Sequence, residues 1–158
     1  MTVDQDSFRS VLGRFATGVT VVTTVDASGR DVGMTVSAFA SVSLNPPLVL
    51  ICVDHAASIY DVLSKASHFI VNILSEGQEA LARRFAESGQ NRFDGIGYDR
   101  GQTGAAILDE VLGYIECKVV TRREAGDHDI LTGAVEVAVA NEGKPLLYYR
   151  GGYAQLER

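Results

Sequence analysis

From residue 33 to residue 47 the chain alternates. Met34, Val36, Ala38, Ala40, Val42 and Leu44 fall on one face, and Thr35, Ser37, Phe39, Ser41 and Ser43 on the other. Period two over this length predicts a strand with one face buried. The second face carries no charge, although a solvated strand face normally does. Small hydroxyls allow close approach and supply both donors and acceptors. That face reads either as a strand packed under another part of the chain or as a platform for a molecule rich in hydrogen-bonding groups. The absence of charge favours the platform.

The remaining pattern is mostly strand. Phe8, Val11, Leu12 and Phe15 follow helical spacing and predict an amphipathic helix over 7–17, capped by Asp6 or Ser7 and ended by Gly18. The β-branched run 19–25 predicts a strand, and 26–30 a turn leading into the platform strand. Pro46 and Pro47 break that ladder for want of N–H groups. Residues 48–53 read as a strand buried on both faces. Ser58 with Asp61 forms a weak capping box ahead of a short helix to Lys65. A strand is expected over 68–74 and a helix over 78–86, with Leu81 and Phe85 on one face. Residues 88–106 hold five glycines and little periodicity, and a loop that long is usually functional or covers something. Strands over 111–123 and 128–140 flank a hairpin turn, and 145–150 reads as an edge strand. With no sustained βαβ alternation, the pattern predicts one mainly β domain over 1–158, an antiparallel barrel with a few peripheral helices. A Rossmann fold is disfavoured, because Gly95-Ile96-Gly97 lacks the third glycine and the strand-to-helix setting.

Composition narrows the partners. The chain of 158 residues is 46% hydrophobic and 22% charged, with a net charge of -6 and a pI near 5.0. That balance argues against nucleic acid or an anionic membrane as the main partner. No apolar run is long enough to span a bilayer, and the acidic start does not resemble a signal peptide. Cys52 and Cys117 lie far apart, which suits a reduced cytoplasmic protein better than a disulfide framework.

Few residues announce chemistry. His55, His68 and His128 are scattered and the cysteines match no zinc spacing, so no metal site is expected. There is no Gly-x-Ser-x-Gly elbow. His68 opens an apolar strand and reads as structural; His55 lies near a ligand or merely in water. His128, in Gly126-Asp127-His128-Asp129, sits at a tight turn where it either contacts a ligand or faces solvent. Arg83 and Arg84 end a helix, as a solvated face or as a cationic pair for phosphate.

Taken in order, the motifs form a pattern: Phe15-Ala16-Thr17-Gly18-Val19-Thr20-Val21-Val22-Thr23-Thr24, Thr35-Val36-Ser37-Ala38-Phe39, Ser41-Val42-Ser43-Leu44-Asn45-Pro46-Pro47-Leu48, Phe69-Ile70-Val71-Asn72-Ile73-Leu74, Arg84-Phe85, Arg92-Phe93-Asp94-Gly95-Ile96, Gly126-Asp127-His128, and Leu146-Leu147-Tyr148-Tyr149-Arg150-Gly151-Gly152-Tyr153. From Phe8 to Leu156 the chain resembles the short-chain flavin reductases, the reductase partners of two-component flavin monooxygenases. Their fold is the FMN-binding split barrel.

The resemblance implies an antiparallel split β-barrel and hydride transfer from NADH or NADPH to FMN or FAD. It implies that Gly33, Met34, Thr35, Val36, Ser37 and Ala38 run beside the flavin, their main chain and the hydroxyls of Thr35 and Ser37 bonding it. Cys52, Val53, Asp54 and Ser58 would line the other side, with Ser58, Arg84 and the adjoining Phe85 towards the phosphate. His128 would contact the nicotinamide as a positioning residue, and Tyr148, Tyr149, Arg150 and Gly151 would shape its site. It further implies a homodimer and a separate oxygenase that receives reduced flavin. Three rival readings remain: a split-barrel oxidase of the pyridoxamine phosphate or deazaflavin type, a flavin carrier without reductase activity, and a structural or interaction domain with an empty barrel. The uncharged 35–43 face disfavours the last.

Overall fold

The computed structural model of the chain describes residues 2–89 and 91–157. Met1 and Arg158, ends of the expected domain, and Gln90, within the expected loop, lie outside them. In chain order the elements are α1 (Gln5–Leu12), β1 (Thr17–Gly18), β2 (Thr20–Val25), β3 (Asp31–Val36), β4 (Phe39–Leu44), β5 (Pro47–Asp54), α2 (Tyr60–Leu63), β6 (His68–Ile73), α3 (Glu79–Ala86), β7 (Tyr98–Arg100), β8 (Ala106–Leu108), β9 (Gly113–Ala125), β10 (His128–Ala140), β11 (Leu146–Tyr149) and β12 (Gly152–Gln155). The fold is mainly β and antiparallel with a few helices, as expected.

Seven strands form the main sheet in the order β3-β2-β6-β9-β10-β5-β4. Its two edges, β3 and β4, are consecutive in the chain and are joined by Ser37 and Ala38 alone. That corner curls the sheet into a barrel whose edge strands meet through a covalent bend, not a ladder. The Ala38 carbonyl accepts from Cys52 N–H at 3.0 Å and the Ser37 carbonyl from Phe39 N–H at 3.0 Å.

The corner overturns the reading of one unbroken platform strand. Val36 and Phe39 are three residues apart yet pack against the same interior cluster, which period two forbids within a continuous strand. Beyond the corner the alternation is inverted. Val42 and Leu44, expected in the core, are 50% and 92% exposed, and a bulge between Ser41 and Ser43 disturbs the register again.

The barrel interior holds Val22, Val36, Val49, Ile51, Val53, Phe69, Val71, Cys117 and Leu131, closed at one end by Ile59 and Leu63. On the outer face of the wall a second cluster packs Val19 and Val21 against Ala82 and Phe85 of α3, Ala106 and Leu108 of β8, and Leu146 of β11. β2 and β6 are therefore buried on both sides, whereas β5 alternates, with Val49, Ile51 and Val53 inward. The expectation of a doubly buried strand thus belongs to different strands. Buried polar groups in the outer cluster are satisfied: Thr23 Oγ1 donates to Ala106 O at 2.6 Å, and Asn72 Oδ1 accepts from Leu108 N–H at 2.9 Å.

Other boundaries shift for local reasons. α1 ends at Leu12, capped by Asp4, whose carboxylate accepts from Ser7 N–H at 2.8 Å; Gly18 lies in β1. Ser58 makes no capping box, since α2 is one turn without a side-chain cap. The long loop contains the β7–β8 hairpin. Pro47 opens β5 opposite Leu44, so the prolines mark a hairpin. The tail supplies β12, which with β11 and β1 makes a second, three-stranded sheet.

Gly133 on β10 lies where a Cβ would come 2.8 Å from the Phe69 ring and 2.9 Å from Cys117 Cβ, both fully buried. Gly133→Ala is expected to lower stability by about 1–3 kcal/mol through overpacking, read as a lower urea midpoint with an unchanged slope. An unchanged midpoint would mean that the barrel interior relaxes around the methyl.

Candidate functional site

On β3, Gly33 and Thr35 point outward, towards α3. A Cβ at Gly33 would lie 2.8 Å from the Phe85 ring and 3.1 Å from that of Phe93, so only glycine admits this helix and loop so closely. Thr35 Oγ1 donates to the Ala82 carbonyl at 2.7 Å. The hydroxyl expected on an open platform thus has its proton engaged by the helix. Met34 and Val36 turn inward, and Phe85, wholly buried, wedges between α3 and the strand. Of the expected platform residues, Ser37 borders a different space, a cavity of about 240 Å³ with Thr17, Gly18, Thr20, Phe39 and Ile73. Thr17 Oγ1, in that lining, is buried without a partner among the described residues.

Docking α3 on Gly33 brings the arginine-bearing loop over the rim of the barrel. Arg92 donates to Gly33 O at 2.7 Å, to Ser58 Oγ at 3.3 Å, and to Glu87 O. Its Nε is buried without a partner among the described residues, and burial pushes its pKa down. Arg84 donates to Asn91 O at 2.9 Å and to Asp94 O, and so holds the loop in place. A cavity of about 230 Å³ lined by Asp31, Gly33, Ser58, Gly89, Arg92 and Phe93 adjoins one of about 310 Å³ between Arg84 and Arg92. Among the described residues neither guanidinium has a carboxylate within salt-bridge distance. Two arginines without carboxylate partners beside a serine hydroxyl are a candidate anion site, although Asp26 and Asp31 also line the first cavity and Glu87 the second. Ser58 and Gly33 of the expected set meet here. Arg92 was visible only as part of a motif, and its unpaired guanidinium is the signal that marks it.

β5 and β10 assemble a second group. His128 pairs with Asp54 across the ladder, Asp129 with Val53, and Ile130 with half-buried Cys52. The His128 side chain is 40% exposed and its Nδ1 lies 2.7 Å from Asp127 Oδ1; that bond holds the Asp127 carboxyl below its ordinary range. Behind it, Asp129 takes His55 Nε2 at 2.8 Å and accepts from the Tyr60 hydroxyl at 2.9 Å. The carboxylate raises the pKa of His55, and the same bond lowers that of Asp129.

The last expected residues lie elsewhere. Tyr148 and Tyr149 belong to the three-stranded sheet, Tyr148 opposite Thr17, and Arg150 and Gly151 make its turn at φ 51° and 78°. Arg150 N–H donates to Gly13 O at 2.7 Å. Within one chain, then, His128 and the tyrosine hairpin occupy different sheets.

The fold is thus a barrel closed at a two-residue corner, with two arginines on its rim and a partly exposed histidine at the β9–β10 hairpin. The family profile described as "Flavin reductase like domain" matches residues 12–157. A flavin reductase of Pseudomonas putida is 41% identical over 152 residues, covering 96% of this chain and 89% of that protein. The reductase subunit HsaB of a flavin-dependent monooxygenase of Mycobacterium tuberculosis is 39% identical over 158 residues, covering 98% and 84%. An NADH:FAD oxidoreductase of Streptomyces globisporus, solved with NAD and FAD fragments, superposes with a TM-score of 0.92 at 36% identity over 99% of this chain and 96% of that one. The chain belongs to the flavin reductase-like family. The residues present fit such a ligand, because Arg92 offers an unpartnered buried N–H and Ser58 a hydroxyl where a phosphate needs donors.

The proton on His55 links this site to pH. His55 holds it more tightly folded than unfolded, so its contribution is complete below the ordinary histidine value of about 6.5 and fades as pH rises through the raised value. Asp129 contributes above the ordinary carboxylate value of about 4 and loses its effect as pH falls through its lowered one. The difference in urea midpoint between wild type and His55→Gln is expected to be greatest near pH 5–6 and to shrink by pH 9. A difference that stays level would show that the ion pair adds nothing.

Proposed function

We propose that the chain acts as one domain, a flavin reductase that takes reducing equivalents from NADH or NADPH and supplies reduced FMN or FAD to a separate oxygenase. The observation that carries this reading is the pair Arg84 and Arg92, without carboxylate partners among the described residues, beside Ser58 and the Gly33 carbonyl. Flavin, when bound, accepts hydride from the nicotinamide and holds it for release. Arg92 and Ser58 bind its phosphate, with Arg84 maintaining the loop and adding field. The main chain of 33–38 borders the ring, and the Asp54 and Cys52 region lies beyond it. No acid or base is needed for hydride transfer, so the protein's work is to hold two rings at reacting distance. His128 positions the nicotinamide, fixed in orientation by Asp127.

The same reading includes a homodimer. α1 buries none of its own residues, and Phe8, Val11, Leu12 and Phe15 are between 51% and 75% exposed. An amphipathic helix with an uncovered apolar face marks an interaction surface, and we take a second copy as its occupant. The alternative partner for that face is the oxygenase. No helix among the described residues is long and apolar enough to cross a membrane. The two free thiols, Cys52 and Cys117, the latter pushed by burial to about 12, support a reducing compartment such as the cytoplasm.

NADH or NADPH oxidation should require added flavin, and comparing FMN with FAD gives the preference. Arg92→Ala is expected to raise the flavin KM about tenfold or more with a smaller change in kcat. His128→Ala should raise the nicotinamide KM while flavin titration stays unchanged. Flavin binding without oxidation of either nucleotide would favour the carrier, and equal losses in both His128→Ala measurements would remove its assigned role. In sedimentation the wild type should run as a dimer and Phe15→Glu as a monomer; a wild-type monomer would reassign the α1 face.

A further inference from the structure

Asp129 is 8% exposed, and both of its oxygens are engaged. Oδ1 lies 2.8 Å from His55 Nε2, and Oδ2 accepts from the Tyr60 hydroxyl at 2.9 Å. The two rings lie 4.9 Å apart at 56°, and His55 N–H donates to the Asp127 carbonyl at 2.9 Å. A nearly buried carboxylate is costly unless its lone pairs are satisfied, and here the acceptors are met by side chains from one short stretch of chain. His55 and Tyr60 bracket Ser58 in that stretch. Asp129 itself directly follows His128. One carboxylate therefore ties the segment that carries the anion-site hydroxyl to the strand end that carries the exposed histidine.

We infer that Asp129 is a positioning residue for hydride transfer, fixing the Ser58 segment and His128 at one spacing so that flavin and nicotinamide meet in register. The inference rests on the flavin reductase reading of those two residues. A purely structural clamp would need no such placement, because Ile59 and Leu63 already anchor this segment in the barrel interior. Rigid spacing matters here, since a misplacement of about 1 Å between reacting centres can cost about a hundredfold in rate. The charges that face the cluster are known: Glu124 and Asp127 act on His55 from the β9–β10 hairpin, Arg122 acts on Asp129 from β9, and Asp61 lies near Tyr60 on α2. Their net effect is to favour the protonated His55.

The test uses steady-state kinetics of the full chain with NADH or NADPH and FMN or FAD, together with flavin titration. Asp129→Asn keeps the shape but removes the charge, and Tyr60→Phe removes one arm. Both are expected to fold. Asp129→Asn should lower kcat at saturating substrates about tenfold, with flavin Kd changed less than threefold, and Tyr60→Phe should lower kcat in the same direction by less. In wild type, kcat should fall as pH rises through the raised His55 value. In Asp129→Asn that fall should move to lower pH, and in His55→Gln it should vanish. A kcat within twofold of wild type in both Asp129→Asn and Tyr60→Phe, with an unmoved pH limb, would overturn the inference while leaving the reductase standing. A wild type that oxidises neither nucleotide with either flavin would overturn both.

Discussion

The structure depends on a topological constraint: the two edges of a seven-stranded sheet are neighbours in sequence, joined by two small residues. A sheet of this order cannot lie open, because Ser37 and Ala38 reach only a few ångströms. Closure creates the interior that Phe69, Ile51 and Leu131 fill. It also leaves β3 free on its outer side to receive α3. Every feature of the rim follows from that: Gly33 lets Phe85 approach, the Thr35 hydroxyl secures the Ala82 carbonyl, and the loop after α3 is carried across to Ser58.

Much of this was legible in the sequence, and the part that was not had physical reasons. β-branched runs and paired turn signals located most strands, because their propensities agree with their burial. The corner was hidden because Ser37 and Ala38 sustain an alternating pattern and carry neither glycine nor proline to mark a bend. Parity then inverted silently, and Leu44, written as core, emerged at 92% exposed. The hydroxyl of Thr35 was visible as a donor, but no spacing rule reveals that a helix carbonyl 47 residues later takes it.

The candidate site was legible to the same depth. Ser58 and the exposed His128 stood out as residues at segment ends, where side chains are free to meet ligands. The resemblance put Arg84 with Ser58, whereas in the structure it is Arg92 that reaches Ser58. The stretch after α3 has no period from which that side chain's direction could be read. Arg84 secures the loop, and Arg92 joins Gly33, Ser58 and Glu87. The apolar face of Phe8, Val11 and Leu12 was read as amphipathic helix and is one, although Phe15 lies beyond its end. Amphipathicity, however, says that a face wants covering and not which molecule covers it.

Arg92 is fastened at once to Gly33 of β3, to Ser58 ahead of α2 and to Glu87 after α3. Three separate pieces of chain thus converge on one rigid planar group before any anion arrives. The entropic cost of assembling donors has been met by folding, so little of an incoming ligand's attraction is consumed in ordering the rim. Preorganisation of this kind leaves the attraction between rim and anion to appear as affinity instead of being spent on ordering chain.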